Sequence, residues 1–242
     1  MLELEHVSWA LPDGTEILND ISLTVGTGRM AVITGPNGGG KTSLAKIIAG
    51  IEKPDSGRIL LDGEDVTNMD ITQRAKLGVA YAFQQPVRFK GLTVRDILEL
   101  AGGHLNEDGM CGLLGKVGLC AREYIDREMS GALSGGESKR IEIASVLARE
   151  AKLSVFDEPE AGIDLWSFAR LVETFEELRS QQAGTLVVIS HQERILSIAD
   201  EIIIIAGGKV QAAGDGRQIL PELLAENGAA CCPNGKKVYC HE

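Results

Sequence analysis

The chain has 242 residues, of which 44% are hydrophobic and 4% aromatic, and its formal net charge is −11. This length fits one large domain, or one domain with a subdomain. The acidic balance argues against a nucleic-acid-binding protein, which would normally carry a basic stripe. It leaves a nucleotide ligand open, because charges beyond about 8 Å are screened at physiological salt.

The start of the chain does not resemble a signal peptide, because Glu3 and Glu5 stand where such a peptide carries basic residues. The apolar run at 202–206 is far shorter than the ~20 residues that cross a bilayer. The five cysteines are irregularly spaced and odd in number, unlike a secreted disulfide framework. We therefore expect a cytoplasmic protein.

In the first part of the chain, apolar and polar residues alternate around 2–4 and 21–25, with the turn signal PDG at 12–14 between them. This pattern predicts antiparallel strands in the first 30 residues. The elements expected next are the strand MAVIT (30–34), a helix over 41–51, a strand with a turn over 58–66, a helix from an Asp70 cap to Lys76, and the strand VAYAF (79–83).

From 92 to 130 the pattern becomes helical, and Thr93 with Asp96 makes a capping box. Strands alternating with helices predict a parallel sheet with helices on both faces, and the helical stretch is interpreted as an insertion. The later elements are expected to be a helix at about 136–150, the strand LSVFD (153–157), a helix over 166–182, the strand TLVVIS (185–190), a helix over 193–199, and the strand pair EIIII/KVQAA.

Residues 35–43, GPNGGGKTS, lie between a strand and a helix, which is the P-loop arrangement G-x-x-x-x-G-K-[ST]. Glycines let backbone N–H groups turn toward phosphate oxygens, and the helix beginning at Lys41 directs its positive end to the same place. Lys41 adds a charge, and the Thr42 hydroxyl suits Mg²⁺. The expected nucleotide-binding residues are Gly35, Pro36, Asn37, Gly38, Gly39, Gly40, Lys41, Thr42 and Ser43.

Further polar residues follow the predicted strands. Asp157 and Glu158 end the apolar strand LSVFD, where one carboxylate can hold Mg²⁺ and the next can deprotonate a water. Gln84 follows VAYAF, and His191 follows TLVVIS, at strand ends where open α/β sheets bind ligands. LSGGE (133–137) opens a helix and offers a second phosphate-binding N-terminus, which a second protomer can place opposite the P-loop.

Together, GPNGGGKT, FQ, LSGGE, VFDEP, AGID and SH resemble the nucleotide-binding domain of ATP-binding-cassette (ABC) proteins. The resemblance implies an α/β P-loop NTPase fold with a parallel core sheet, an N-terminal antiparallel β subdomain and an inserted helical subdomain at about 85–140. It covers one domain, residues 1–226, and leaves a Cys-rich tail at 227–242.

The resemblance also implies an ATPase that uses ATP and Mg²⁺ and forms a transient ATP-dependent homodimer. Glu158, His191 and Gln84 would be catalytic, and Thr42, Gln84 and Asp157 would hold Mg²⁺. The residues expected to act across the dimer are Ser134, Gly135, Gly136, Glu137 and Asp164.

The sequence departs from the family at the base. Family members often stack adenine on an aromatic residue where this chain has Leu11, with Trp9 two residues earlier. Such stacking contributes ~1–3 kcal/mol per base in nucleic-acid binders. Either adenine is held about tenfold more weakly, or Trp9 reaches it.

Three stretches, FQQPVRFKGLTV, SGGESKR and SHQERIL, are similar to SufC-like ATPases of SUF-type iron–sulfur cluster assembly, whereas EPEAGID is closer to ordinary ABC proteins. We expect a SufC-like ATPase that drives a SufB/SufD-like scaffold. The alternative is the ATP-binding subunit of a transporter, with a membrane permease as partner. In either case the resemblance implies that Val87, Phe89 and Leu92 lie in the region that docks the partner. The competing interpretation is that they form a packed core edge of the helical subdomain.

The tail carries Cys231, Cys232, Cys240 and His241 within twelve residues. Thiolates and imidazole can bind Zn²⁺ or an iron–sulfur cluster. The spacing matches no standard metal-ligand pattern, so an exposed tail without metal is the competing interpretation.

Overall fold

The computed structural model describes residues 1–103, 105–130, 133–182 and 184–229, with side chains up to residue 225. Strands and helices alternate as the sequence predicts. The strands are β1 (Leu2–Ala10), β2 (Glu16–Val25), β3 (Met30–Thr34), β4 (Ser56–Leu61), β5 (Glu64–Asp65), β6 (Val79–Ala82), β7 (Leu153–Asp157), β8 (Thr185–Ile189), β9 (Glu201–Ala206) and β10 (Lys209–Asp215).

Two sheets form from these strands. The N-terminal sheet is antiparallel, in the order β2-β1-β4-β5. The core sheet has the order β10-β9-β3-β8-β7-β6 and is parallel except for the edge strand β10. The predicted parallel core sheet and antiparallel N-terminal sheet are therefore confirmed.

The helical elements include the predicted caps. Asp70 caps one helix, and Thr93 with Asp96 forms the expected capping box of another. The helices are α1 (Lys41–Ala49), α2 (Ile71–Leu77), α3 (Val94–Gly102), α4 (Glu107–Lys116), α5 (Ala121–Tyr124), α6 (Gly135–Ala148), α7 (Leu165–Ser180), α8 (Glu193–Ser197) and α9 (Gly216–Ala229). The sequence pattern did not predict α9, which continues past the expected domain boundary at 226.

The core sheet is buried on both faces. Alternate residues of β3 show this division, since Met30 and Val32 join one hydrophobic cluster while Ala31 and Ile33 join the other. The first cluster packs against the helices α3, α4, α6, α7 and α8, and the second against α1 and the N-terminal sheet. Strands buried on both faces explain the continuous apolar runs in the sequence. Within the described residues, no helix has the length and apolar character needed to cross a membrane.

A buried arginine caps the C-terminal end of α1, the helix that follows the glycine loop. The Arg74 guanidinium, on α2, donates to the carbonyl oxygens of Ile47 and Ile48 at 2.6 and 2.8 Å, and to those of Thr67 and Met69 at 3.2 Å each. Burial lowers the pKa of Arg74 to about 10, so the group stays charged at neutral pH. A cation at this end also complements the helix dipole.

We expect Arg74→Met to lower the free energy of unfolding by about 2–4 kcal/mol, because it leaves buried carbonyl oxygens without donors. Urea unfolding measures this change. The matched control is Arg58→Met, which removes half-exposed ion pairs to Glu5 and Asp65 and should cost less than about 1 kcal/mol. Equal losses in the two variants would contradict this account of α1.

Candidate functional site

The order of the core strands gathers the predicted polar residues at one edge. Since β3, β8, β7 and β6 are neighbours and parallel, the glycine loop, His191, Glu158 and Gln84 follow adjacent strand ends. They enclose a cavity of about 550 Å³. Its lining residues are Ile17, Asn37, Gly38, Gly39, Gly40, Lys41, Thr42, Ser43, Gln84, Glu158 and His191.

The glycine loop packs too closely on the body of the protein for larger residues. A Cβ on Gly35, where φ is 132°, would lie 2.0 Å from the carbonyl oxygen of Ile205 in β9. A Cβ on Gly39 would lie 2.8 Å from the same oxygen. Glycine is therefore required at these two positions because the loop lies against the backbone of β9. Glycine also lets phosphate approach the backbone of the loop closely.

Lys41 is 6% exposed and stands at the start of α1. Its Nζ donates to the carbonyl oxygens of Gly35 and Pro36, each at 2.8 Å. Burial lowers the pKa of Lys41, while the nearby carboxylates of Glu158 and Asp157 act in the opposite direction. A desolvated cation beside the N-terminus of a helix attracts an anionic ligand.

Asp157 is fully buried at the end of β7. Its Oδ1 accepts a hydrogen bond from the Thr42 hydroxyl at 3.2 Å, and its Oδ2 accepts one from the Tyr81 hydroxyl at 3.0 Å. Burial raises the pKa of Asp157, and the two hydroxyls lower it. Tyr81 was not among the predicted site residues. Its indication in the sequence is a hydroxyl-bearing side chain within the apolar strand β6, which lies next to β7 in the sheet.

Glu158 occupies a left-handed backbone conformation, with φ of 45°. Its N–H donates to the carbonyl oxygen of Ile189 at 3.0 Å, which fixes the turn after β7. Its Oε2 accepts a hydrogen bond from Gln84 Nε2 at 2.7 Å. Such a conformation costs about 1–3 kcal/mol outside glycine and is typical of functional sites.

His191 follows β8 and faces the same cavity. Burial lowers its pKa, and Lys41 lowers it further, while Glu158 acts against both. The preceding Ser190 is fully buried and donates its hydroxyl to Glu160 Oε1 at 2.6 Å. Glu160, a second residue that sequence analysis missed, thus anchors the loop that carries His191.

The residues expected to act across a dimer form a separate group that does not line the cavity of their own chain. Ser134 caps α6 by accepting from the N–H of Glu137, whose Oε2 accepts from the N–H of Ser134 at 2.7 Å. Gly136 packs so closely that a Cβ would lie 2.5 Å from the carbonyl oxygen of Gly162. Asp164 caps α7 by accepting the N–H groups of Trp166 and Ser167, at 3.1 and 3.0 Å.

Leu11 and Trp9, near the expected base position, lie outside the lining of the cavity. Leu11 is exposed, and Trp9 packs against the second hydrophobic cluster, the one on the α1 face. Neither residue lines the cavity, whereas Ile17 does. Of the two alternatives, this packing favours weaker adenine binding over contact with Trp9, because the Trp9 side chain packs against the core.

A triphosphate with Mg²⁺ fits these residues. The glycine loop presents backbone groups to the cavity, Lys41 supplies positive charge, and a nearby cation would stabilise the buried carboxylate of Asp157. Thr42, Gln84 and Asp157 would hold Mg²⁺, which binds oxygen and usually keeps water and phosphate ligands. No group of three or more His, Cys, Asp or Glu that could hold a metal occurs in the described ranges. The predicted tail ligands, Cys231, Cys232, Cys240 and His241, lie outside them.

Strand, glycine loop and helix, with a buried carboxylate at the end of β7, two strands away in the same sheet, define a P-loop nucleoside triphosphatase. Residues 18–161 match the family model described as ABC transporter. The chain belongs to this ABC family, whose members hydrolyse ATP, and we describe it as an ATPase.

Relatives and solved structures agree with this assignment. An uncharacterized ABC transporter ATP-binding protein of Methanocaldococcus jannaschii is 38% identical over 213 residues, covering 84% of this chain and 85% of the relative. The lipopolysaccharide export system ATP-binding protein LptB of Escherichia coli (strain K12) is 31% identical, covering 86% and 88%. A dimeric bacterial ABC transporter cassette has the same fold, with a TM-score of 0.80, 23% identity, and coverage of 90% and 99%.

The names of these relatives bear on the choice between a SufC-like ATPase and the ATP-binding subunit of a transporter. They are named as ATP-binding proteins of transporters, so they do not support the SufC-like interpretation and favour the alternative that the sequence analysis kept.

Gly35→Ala should abolish nucleotide binding, because the new Cβ cannot fit beside the Ile205 carbonyl. Gly63→Ala, in the turn between β4 and β5 and outside the cavity lining, is the matched control, since φ is also positive there (80°) but a Cβ would meet nothing within 4 Å. It should cost about 1–2 kcal/mol of stability and retain binding. Titration with a fluorescent ATP analogue compares the two, and equal affinity would contradict the packing argument.

The cap of α6 should give a measurable pH dependence. Hydrogen bonds from the Tyr124 hydroxyl, at 2.5 Å, and from Ser134 lower the pKa of Glu137 from 4.5 to about 2. Because the folded-state pKa lies below the unfolded value, this stabilisation is complete above about pH 5 and is lost as the pH falls toward 2.

Glu137→Gln should therefore destabilise the protein more at pH 7 than at pH 3.5, measured as the difference in unfolding free energy from the parent. A difference that does not change with pH would contradict the role of the Glu137 charge.

Proposed function

We propose that the chain is the ATP-hydrolysing subunit of a membrane transporter, docked to a permease on the cytoplasmic side. The observation that carries this proposal is an apolar groove beside the segment that follows Gln84. The names of the relatives support the same class of partner.

The groove has a volume of about 320 Å³ and lies where α2 and α3 meet the segment after β6. Phe83, Phe89 and Leu92 line one side, and Ile71 and Leu100 line the others. Leu100 is 74% exposed, and Phe89 and Ile71 are also exposed. Contiguous exposed apolar residues mark interaction sites, and an apolar groove of this kind suits the apolar face of a short amphipathic helix.

In the proposed reaction, the glycine loop and Lys41 bind the phosphates, and Mg²⁺ supplies charge neutralisation when bound. Glu158 orients and deprotonates the attacking water, and His191 donates to the terminal phosphate. The hydrogen bond from Gln84 holds the Glu158 carboxylate in place before the reaction. Charge developing on the transferred phosphoryl group is stabilised by donors that are already oriented, which is the main source of catalysis in phosphoryl transfer.

A second copy completes the site in this proposal. Ser134, Gly135 and Gly136 open α6 but lie outside their own chain's cavity. In a head-to-tail dimer, this helix N-terminus would donate to the phosphates held by the partner's glycine loop. Asp164, through its cap on α7, keeps the adjoining loop in a defined shape.

The SufC-like function remains the second candidate, with a SufB/SufD-like scaffold in the same groove. Its support is the similarity of FQQPVRFKGLTV, SGGESKR and SHQERIL. The tail would then be the place to look for iron or zinc. The transporter is preferred because the named relatives point to it.

Glu158→Gln should keep ATP binding, lose most hydrolysis, and accumulate as an ATP-bound dimer, because the amide preserves the hydrogen bond to Gln84 but cannot take a proton. Phosphate release and size-exclusion chromatography with light scattering measure the two effects. Hydrolysis at the parental rate would show that Glu158 is not the base.

The permease is tested by co-expression with membrane proteins encoded beside this gene. Leu100→Glu should abolish co-purification with the permease while basal ATPase activity stays unchanged, because the charge lies in the groove. Leu224→Glu, at an exposed apolar position on α9, is the matched control. If a SufB/SufD-like scaffold co-purifies instead, and Leu100→Glu abolishes that co-purification, the second candidate replaces the transporter.

A further inference from the structure

Helix α6 contains a buried charged pair one turn after its N-terminus. The Lys139 side chain is 0% exposed and that of Glu142 is 10% exposed, and Lys139 Nζ lies 3.9 Å from Glu142 Oε2. The pair lies outside the nucleotide cavity, and the proposed reaction does not use it. Its contacts, however, lead to two of the proposed magnesium ligands.

Lys139 joins the ends of two neighbouring strands. Its Nζ donates to the carbonyl oxygen of Phe83, to that of Gln84 at 3.3 Å, and to that of Asp157 at 3.2 Å. Phe83 and Gln84 follow β6, and Asp157 ends β7. One ammonium group therefore fixes the backbone of Gln84 relative to that of Asp157.

Glu142 holds the same backbone from the other side. Its Oε1 accepts the N–H of Phe83 at 3.1 Å. Its Oε2 is buried and has no hydrogen-bond partner among the described residues, and it faces Lys139. Phe83 is thus bound at its N–H by Glu142 and at its carbonyl by Lys139, directly before Gln84.

A buried ion pair is weak evidence for a stabilising role. Buried ion pairs are often replaceable by neutral residues of similar volume at no loss of stability. Burial raises the pKa of Glu142 to about 7 even though Lys139 acts to lower it, so desolvation outweighs the attraction. The feature that a neutral pair would not reproduce is the fixed distance between the Gln84 and Asp157 backbones.

We propose that Lys139 and Glu142 form a positioning pair that holds Gln84 beside Asp157 and thereby determines how tightly the site binds Mg²⁺. This inference rests on the proposed function, because it takes Gln84 and Asp157 as the magnesium ligands. Outer residues that orient metal ligands typically contribute 10–100-fold to metal affinity.

The test replaces the pair by Lys139→Met with Glu142→Gln, which removes both charges and keeps an acceptor for the Phe83 N–H. Binding of Mn²⁺ to the ADP-loaded full chain, followed by electron paramagnetic resonance, gives a readout that does not depend on hydrolysis. We expect about tenfold weaker Mn²⁺ binding and an unchanged or higher melting temperature. Unchanged Mn²⁺ affinity would overturn the proposal.

A double-mutant comparison with Gln84→Ala shows whether the pair acts through Gln84. Gln84→Ala alone should weaken Mn²⁺ binding, and adding the neutral pair should then weaken it by less than about twofold, since coupled residues are non-additive. A full further loss would overturn the proposal. Normal Mn²⁺ binding by Gln84→Ala alone would instead refute the ligand role of Gln84, which belongs to the proposed function.

The matched control neutralises another ion pair far from the site. Arg179 and Asp200, which are 2.6 Å apart, lie near the opposite ends of the core strands. Arg179→Met with Asp200→Asn should leave Mn²⁺ affinity unchanged. If the doubly neutral α6 variant does not fold, Lys139→Gln is measured for Mn²⁺ affinity alone. About tenfold weaker binding is again expected, because the shorter side chain cannot bridge the two strand ends.

Discussion

The site is organised around one buried carboxylate, that of Asp157. A charged group in such a place is unfavourable unless donors surround it, and here hydroxyls come from two different elements, α1 and β6. These bonds place the start of α1, and with it the glycine loop, at a set position beside β7. Glu158 follows Asp157 in the chain, so β7 also determines where Glu158 lies in the cavity.

The remaining geometry follows from how β7 and β8 end. The N–H of Glu158 is bonded to β8, so the chain turns sharply and leaves the sheet in a left-handed conformation. This turn directs the carboxylate toward Gln84 and away from the core. The position of the Glu158 carboxylate is thus set by a backbone hydrogen bond at the end of the sheet.

Much of the fold was predictable, because local rules were strong in this chain. The glycine loop, the caps at Asp70 and Thr93, and the apolar strands each carry a short-range signal that the structure confirms. Helix α9 was not predicted, since a proline lies within it and its apolar pattern is weak.

The site could be predicted as a set of residues but not as a network. Sequence spacing identifies Asp157 and Lys41, yet it cannot show that Tyr81 bonds to Asp157 or that Lys139 reaches two strand ends. Those contacts join residues more than 50 positions apart in several cases, and they depend on strand order and burial. Arg74 is a similar case, because an arginine four residues after an acid, Asp70, resembles a member of a surface helix pair in sequence, whereas its guanidinium is bonded to carbonyl oxygens of α1.

The serine that caps α6 meets two different requirements, one for capping the helix and one for receiving negative charge. Folding requires only an acceptor for the N–H of Glu137, and an aspartate in place of Ser134 would meet that need equally well. The Ser134 hydroxyl accepts a hydrogen bond through a lone pair and can still donate its own hydrogen to a ligand. An ionised aspartate has no hydrogen to donate and would repel an anion. Serine at this position therefore reconciles an ordered helix end with a surface that can receive negative charge.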